Sequence, residues 1–593
     1  MINLSKIIRI VIIILAILPV SAKTQTAVND TVWISKSNSY TMMLLDIDKK
    51  YSPEFGSSQG LAECDTLISI PTLTNIIVQR KEKQAAISLL KSAKQTEKNP
   101  AVRQDLDILI NNVQLDFRRQ DFQLYKKVSF LNATSTIFEG LQILLDDQTP
   151  VERRSAAIVR LRKYAGLIKG NQPLTAILQD RTQKQLYAPN MIYPSRQQME
   201  VELSRNASMV SGIEELFKKY QQAGWEHAYA TIKKQLESYD AWIRANLLPR
   251  AHTDFRLTPD EYKLALEIYG VDIDPADLAK MAHAAFTDFQ NQMKPLAEDI
   301  AKKYNLPSND YREVIKFLKN KQIIGDSIIP LYESHLRDIE DIIRKQQLIT
   351  LPNRPAIIRL STAAETAQQP APHMVPPPFL NNTGQRGVFV LPLNMPAAPG
   401  ETAIDKYDDF TFDAASWTII AHEARPGHEL QFDKMVEEGV SQARALYAFN
   451  STNVEGWALY SEYITRPYMP VEGQLISLDY RLLRAARAFL DPELQSGKTT
   501  QQQALELLMK DVVQSHAFAK QEVERYALHA PGQANSYFYG YTKMLALRKD
   551  AEKALGTKFN QLRFHDFILS QGILPPALIR QAVMNDFIPK EKS

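Results

Sequence analysis

Two of the ten histidines in the chain bracket a glutamate and a Pro-Gly pair in the run His422-Glu423-Ala424-Arg425-Pro426-Gly427-His428. Imidazole nitrogens and a carboxylate are the ligands of a catalytic zinc site, which keeps one coordination position open for water. A glutamate directly after the first histidine is placed to take a proton from that water, so Glu423 reads as a general base. A third ligand is expected from the next helix, and Glu455, in Asn453-Val454-Glu455-Gly456-Trp457-Ala458, is the best candidate. The site therefore predicts one Zn²⁺ held by His422, His428 and Glu455, although His and Glu ligands also suit other divalent ions.

The spacing poses a geometric problem. Two histidines four apart on a helix face the same way, whereas six residues rotate the second by about 240° and advance it about 9 Å along the axis. Pro426 lacks an amide hydrogen and Gly427 tolerates unusual backbone angles, so the expectation is a helix that bulges here and restarts with His428 on the metal side. Gly456 removes bulk beside Glu455, which predicts close approach of the two ligand-bearing helices at the metal. Glu462, seven residues after Glu455 and near the same helical face, is a candidate hydrogen-bond partner for a ligand imidazole. A lone histidine in a helix is usually an ordinary core or surface residue; the combination carries the metal reading.

Downstream, Tyr537, Tyr539, Tyr541 and His529 cluster in a segment that can fold over the site and stabilise an oxyanion. Core packing is the ordinary role of such aromatics. Arg484, Arg487 and Arg548 offer guanidinium forks for the terminal carboxylate of a peptide, against a more usual role in structural ion pairs.

These residues need a scaffold, and the sequence supplies a mainly helical one. From about 100 to 350, apolar residues recur at three and four, as in AVRQDLDILINNVQLDFRRQ. Breaks fall at Asp274 to Asp277 and at Pro307 to Asn309. Between Pro370 and Gly400, eight prolines preclude a helix; within this stretch Gly387 to Leu391 is the clearest strand, expected as an edge strand lining the cleft where an extended peptide can add. After Phe410 the helical pattern resumes, with further helices near 477–490, 500–520 and 536–555. The organisation is read as a signal peptide over 1–22, an N-terminal helical region over 23–355 and a catalytic helical region over 356–593.

At 593 residues, 45% apolar and 23% charged, the chain has the composition of a folded globular protein rather than a disordered or multispanning one. Lys6 and Arg9, an apolar run from Ile10 to Val20 and the small Ser21 and Ala22 form the pattern of a signal peptide, which predicts export to the periplasm or beyond and no membrane span after cleavage. Removing Lys6 and Arg9 takes the formal charge from +3 to +1, leaving no strong field for nucleic acid. Cys64 is the sole cysteine, so there is no intramolecular disulfide and no thiolate cluster for a metal.

The motifs His-Glu-x-x-Pro-Gly-His-x-x-Gln (His422 to Gln431), Glu-Gly-Trp-Ala (Glu455 to Ala458) and Pro-Gly-Gln-Ala-x-Ser-Tyr (Pro531 to Tyr537) resemble the bacterial domain-of-unknown-function 885 family, itself similar to the gluzincin metallopeptidases. The resemblance is strong from about Phe410 to Arg548, with a weaker echo over Leu247 to Leu266. It implies a large multi-helix body with a central cleft between an N-terminal helical part and the catalytic half, His422, His428 and Glu455 as ligands, and Glu423 as base. Tyr537, inside the third motif, and His529 become the preferred oxyanion pair. The family often has Gly after His-Glu; here Ala424 and Arg425 follow, and Arg425 is expected to bear on the cleft.

The function expected is an exported zinc-dependent hydrolase, a peptidase acting on a peptide substrate. A zinc amidase or deacylase would use the same residues, and a noncatalytic peptide-binding homologue would not need Glu423.

Overall fold

The computed structural model describes residues 24–393 and 407–593; the signal-peptide segment, Pro396, Pro399 and Gly400 lie outside them. About 70% of the chain is helix and 3% strand, so the architecture is mainly α with one small sheet. Among the described residues no helix is long and apolar enough to cross a membrane.

The longest helix, Pro275–Tyr304, starts where the sequence places a break: the Asp274 side chain accepts from the Ala276 amide, and Pro275 fills the first helical position. Its buried Leu278, Ala282, Phe289, Met293 and Ile300 lie on one face. That face runs along helix Val471–Gln495, whose residues are buried on nearly every side. A helix covered all round is a central one, and this one carries three arginines, Arg481, Arg484 and Arg487, into the interior. The region read as one helix over 500–520 is two, Gln501–Asp511 and His516–Glu524, the second restarted by the Ser515 side chain accepting from the Phe518 amide.

One apolar core extends from Leu44 to Ile588 and includes Trp417, Ile419 and Ile420 beside His422. A second, built mainly from residues between Ile68 and Leu247, is closed by Ala364 and Ala367.

Three strands, β1 (Ile357–Leu360), β2 (His373–Val375) and β3 (Val388–Leu391), form a sheet in the order β1-β3-β2, parallel between β1 and β3 and antiparallel between β2 and β3. The strand read from Gly387 to Leu391 is thus present, but it is the central one and all four residues of β3 are buried. The expectation of an edge position is corrected: a continuous apolar run without alternation marks a strand covered on both faces. The edge on the side of the histidines belongs to β2.

Candidate metal centre

The helix bearing His422 spans Asp413–Glu423 and ends there. Ala424 leaves helical geometry, the Arg425-Pro426 peptide is cis, and a new helix begins at His428. The break is complete, where a bulge was expected. Gly427 is required by crowding: a Cβ there would lie 1.8 Å from the carbonyl oxygen of His422. The Pro426 carbonyl accepts from Trp457 Nε1 at 3.0 Å and Ser461 Oγ at 3.1 Å, so the helix that supplies Glu455, Ser451–Thr465, also clamps the break. Arg425 turns away from the histidines, paired with Glu340 and Glu429 and donating to the Arg354 carbonyl; it supports the start of the His428 helix and does not shape the cavity wall.

The reversal brings His422 Nε2 and His428 Nε2 to 3.5 and 3.4 Å from one oxygen, Oε2, of Glu455. The imidazoles meet edge to face, ring centres 4.8 Å apart. Glu423 stands beside them, 3.9 Å from His422 Nε2. Donor atoms of His422, Glu423 and His428 lie within 4.8 Å of one another, but Glu455 is the carboxylate nearer to both rings. Glu455 Oε2 and His428 Nδ1 are buried without a hydrogen-bond partner. Glu462 accepts from His422 Nδ1 at 2.7 Å, as its place on the helix suggested.

Burial acts on both glutamates, with opposite outcomes. Burial pushes the Glu423 carboxyl up to about 8. For Glu455, burial is outweighed by the His422 and His428 imidazoles, which hold the carboxyl well below the usual range.

These residues open onto a cavity of about 660 Å³. Tyr537 lines it, its ring stacked on His422 with centres 6.3 Å apart and planes 10° apart, and its hydroxyl accepts from Arg525 at 2.7 Å. His529 also lines the cavity; among the described residues no hydrogen bond or ion pair joins it to the histidines or Glu423. The other two tyrosines go elsewhere. Tyr539 donates to Asp272 and lines a separate cavity of about 1290 Å³ that contains none of His422, Glu423, His428 and Glu455, and Tyr541 packs against Tyr463 and Arg481.

Of the arginines, Arg484 and Arg487 line the cavity. Arg548 does not; it binds Tyr460 and Glu552 on another face, which removes it from carboxylate recognition. Arg525 and Arg205, which sequence reasoning missed, do line it. Arg525 lies twelve residues before Tyr537 with no motif signal of its own, and Arg205 arrives from a helix more than two hundred residues upstream.

The third motif is explained by a hydrogen-bond network. Asp491 accepts from the Gly532 amide at 2.9 and 3.0 Å, Gln533 accepts from Arg525, and Ser536 pairs with Ser451 at 2.7 Å. Gly456 meets Gly540 across the contact between helices Ser451–Thr465 and Asn535–Leu555, where a Cβ on Gly456 would be 2.6 Å from the Gly540 backbone. The close approach is therefore with the Tyr537 helix, correcting the expectation that Gly456 faces the His422 helix; it is what sets Tyr537 over the histidines.

A mainly helical body enclosing a buried cluster of two histidines and two glutamates defines the class. The chain belongs to the family described as bacterial protein of unknown function, DUF885, which it matches over residues 53–583, well beyond the span of the three motifs. No curated protein matches it. Among solved structures it is similar to a protein described as a lipoprotein of unknown function from Shewanella oneidensis, at 18% identity and a TM-score of 0.68 over 92% of this chain and 99% of that one. It is also similar to one described as a lipoprotein from Colwellia psychrerythraea, at 18% identity and a TM-score of 0.70 over 94% of this chain and 99% of that one. At such identity the likeness shows the fold.

Proposed function

We propose that the protein is a zinc-dependent hydrolase of the cell envelope that cleaves peptide bonds, with His422, His428 and Glu455 holding the ion and Glu423 acting as general base. The observation that carries this reading is the convergence of His422 Nε2 and His428 Nε2 on Glu455 Oε2, at 3.5 and 3.4 Å. Ligand atoms about 2.0 to 2.1 Å from a tetrahedral zinc stand about 3.4 Å from each other. The donor set fits as well: Glu462 accepts a hydrogen bond from His422 Nδ1, and both Nε2 atoms face the buried Glu455 Oε2.

Zinc at this position supplies a Lewis acid for a carbonyl oxygen and a water that ionises near neutral pH. The protein's groups do the rest. Glu423, 3.9 Å from His422 Nε2, takes the proton of the attacking water at its carboxylate and passes it to the leaving nitrogen. The Tyr537 hydroxyl, held by Arg525, donates to the developing oxyanion, and His529, which also lines the cavity, offers a second donor.

Peptide is favoured over other amides by β2, whose residues His373 and Met374 line the cavity and whose outer edge is unpaired among the described residues, a surface to which an extended chain adds. The leader-like N-terminus and the description of the two structural neighbours as lipoproteins support the envelope location.

The test is elemental analysis followed by assay of the zinc-loaded protein against a mixed peptide library and against acyl amides. About one zinc per chain and peptide cleavage that Glu423→Gln abolishes without loss of zinc are expected. Cleavage of acyl amides alone overturns the peptidase assignment, and full activity in Glu423→Gln removes the base.

A further inference from the structure

The wall of the cavity is divided. One part is apolar: Phe379 and Phe432 stack with ring centres 5.9 Å apart, and Phe449, 61% exposed, also lines the cavity. Another part is cationic, lined by Arg205, Arg484, Arg487 and Arg525, whereas the only carboxylates lining the cavity among the described residues are Glu423 and Glu455.

The four arginines are not equally engaged. Glu522 takes the fork of Arg487 at 2.6 and 2.8 Å, and Glu524 pairs with Arg205 at 3.0 Å. Arg484 is left short. Its Nη1 donates to the Tyr480 carbonyl at 3.1 Å, its Nη2 is 3.5 Å from a Glu462 oxygen already committed to His422, and its Nε is buried with no partner. A guanidinium has five donors, and a side chain only 6% exposed has no bulk water to satisfy them. Arg525 gives one nitrogen to Tyr537 and Gln533, holds another 3.5 Å from Glu522, and stays 17% exposed.

We propose that Arg484 and Arg525 bind the free α-carboxylate of a short peptide whose apolar C-terminal side chain lies against Phe379, Phe432 and Phe449. The enzyme is then a carboxypeptidase. The inference rests on the peptidase reading above and names its substrate class. Both arginines stand one contact removed from His422, Arg484 through Glu462 and Arg525 through Tyr537. Planar guanidinium groups match a carboxylate in shape and charge, and a lysine would not replace them.

The decisive measurement compares benzoyl-Gly-Phe as the free acid and as the C-terminal amide, on the zinc-loaded full-length protein. Cleavage of the acid at a kcat/KM at least about 30-fold above that of the amide is expected, since hydrogen bonds to charged groups carry discrimination of this order. In Arg484→Gln the ratio of kcat/KM for the acid to that for the amide should fall toward one. Equal cleavage of acid and amide overturns the carboxylate site and leaves the peptidase reading standing. If neither is cleaved, calorimetric titration of Glu423→Gln with both decides: binding of the acid alone upholds the site, and equal binding or none overturns it.

Discussion

His422 is held from behind by Glu462, which accepts its Nδ1 proton at 2.7 Å from a position with no exposed surface. Burial alone would raise the Glu462 carboxyl, but Arg484 and His422 together hold it below the usual range. The carboxylate therefore fixes both the tautomer and the orientation of the ring. Glu462→Gln should keep the fold and weaken zinc binding about tenfold or more. Competition with a graded chelator reads this, and unchanged affinity would leave Glu462 a mere packing residue.

Gly427 is the position at which the chain reverses between the two histidines. Alanine there drives a methyl group into the His422 carbonyl, 1.8 Å away. Gly427→Ala should lose about 2 kcal/mol or more in urea unfolding, and bound zinc should fall well below one per chain. Normal stability with normal zinc content would show that the backbone yields at no cost.

The Pro426 carbonyl has two donors, Trp457 and Ser461, which makes their deletion non-additive. Either Trp457→Phe or Ser461→Ala should cost about 1 kcal/mol from the hydrogen bond, beyond packing changes. The double variant should cost more than the sum, because only then is a buried carbonyl left unsatisfied. A double-mutant cycle by denaturation measures the difference.

Glu522 is the buried counterion of Arg487. Burial opposes its charge, but Arg487 and Arg525 prevail and its carboxyl is pushed down to about 2. A folded-state value below the unfolded one contributes stability that is complete above about pH 4.5 and is lost as pH falls toward 2. Glu522→Gln should therefore destabilise by about 3 kcal/mol at pH 7, leaving Arg487 buried and unpaired, and the gap to the unmodified protein should narrow between pH 4.5 and 2. A gap that does not change with pH over this range would contradict the ionic account.

How far the sequence could be read depended on whether the information was local. The break at Pro426-Gly427 was legible because proline and glycine restrict or free the backbone at their own positions. Glu462 was legible because helical periodicity carries a face seven residues forward. The strand at Val388–Leu391 was found by its apolar run, but edge and centre differ only in what lies alongside, and β2 is a three-residue strand flanked by prolines. Arg548 and Tyr539 had the right chemistry and the wrong address, since nothing local records which wall of a helix faces a distant cavity.

The sequence by itself singled out His422, His428, Glu455 and Glu423, the helical class and the family, because side-chain chemistry and spacing travel with the chain. The tertiary structure decided which residues of that inventory meet. It placed Tyr537 over His422 through the crossing of Gly456 with Gly540, brought Arg205 and Arg525 to the cavity and removed Arg548 from it. The reason is physical: helix ends and breaks are set by neighbours in sequence, while the face a helix turns to a cavity is set by the helices packed behind it.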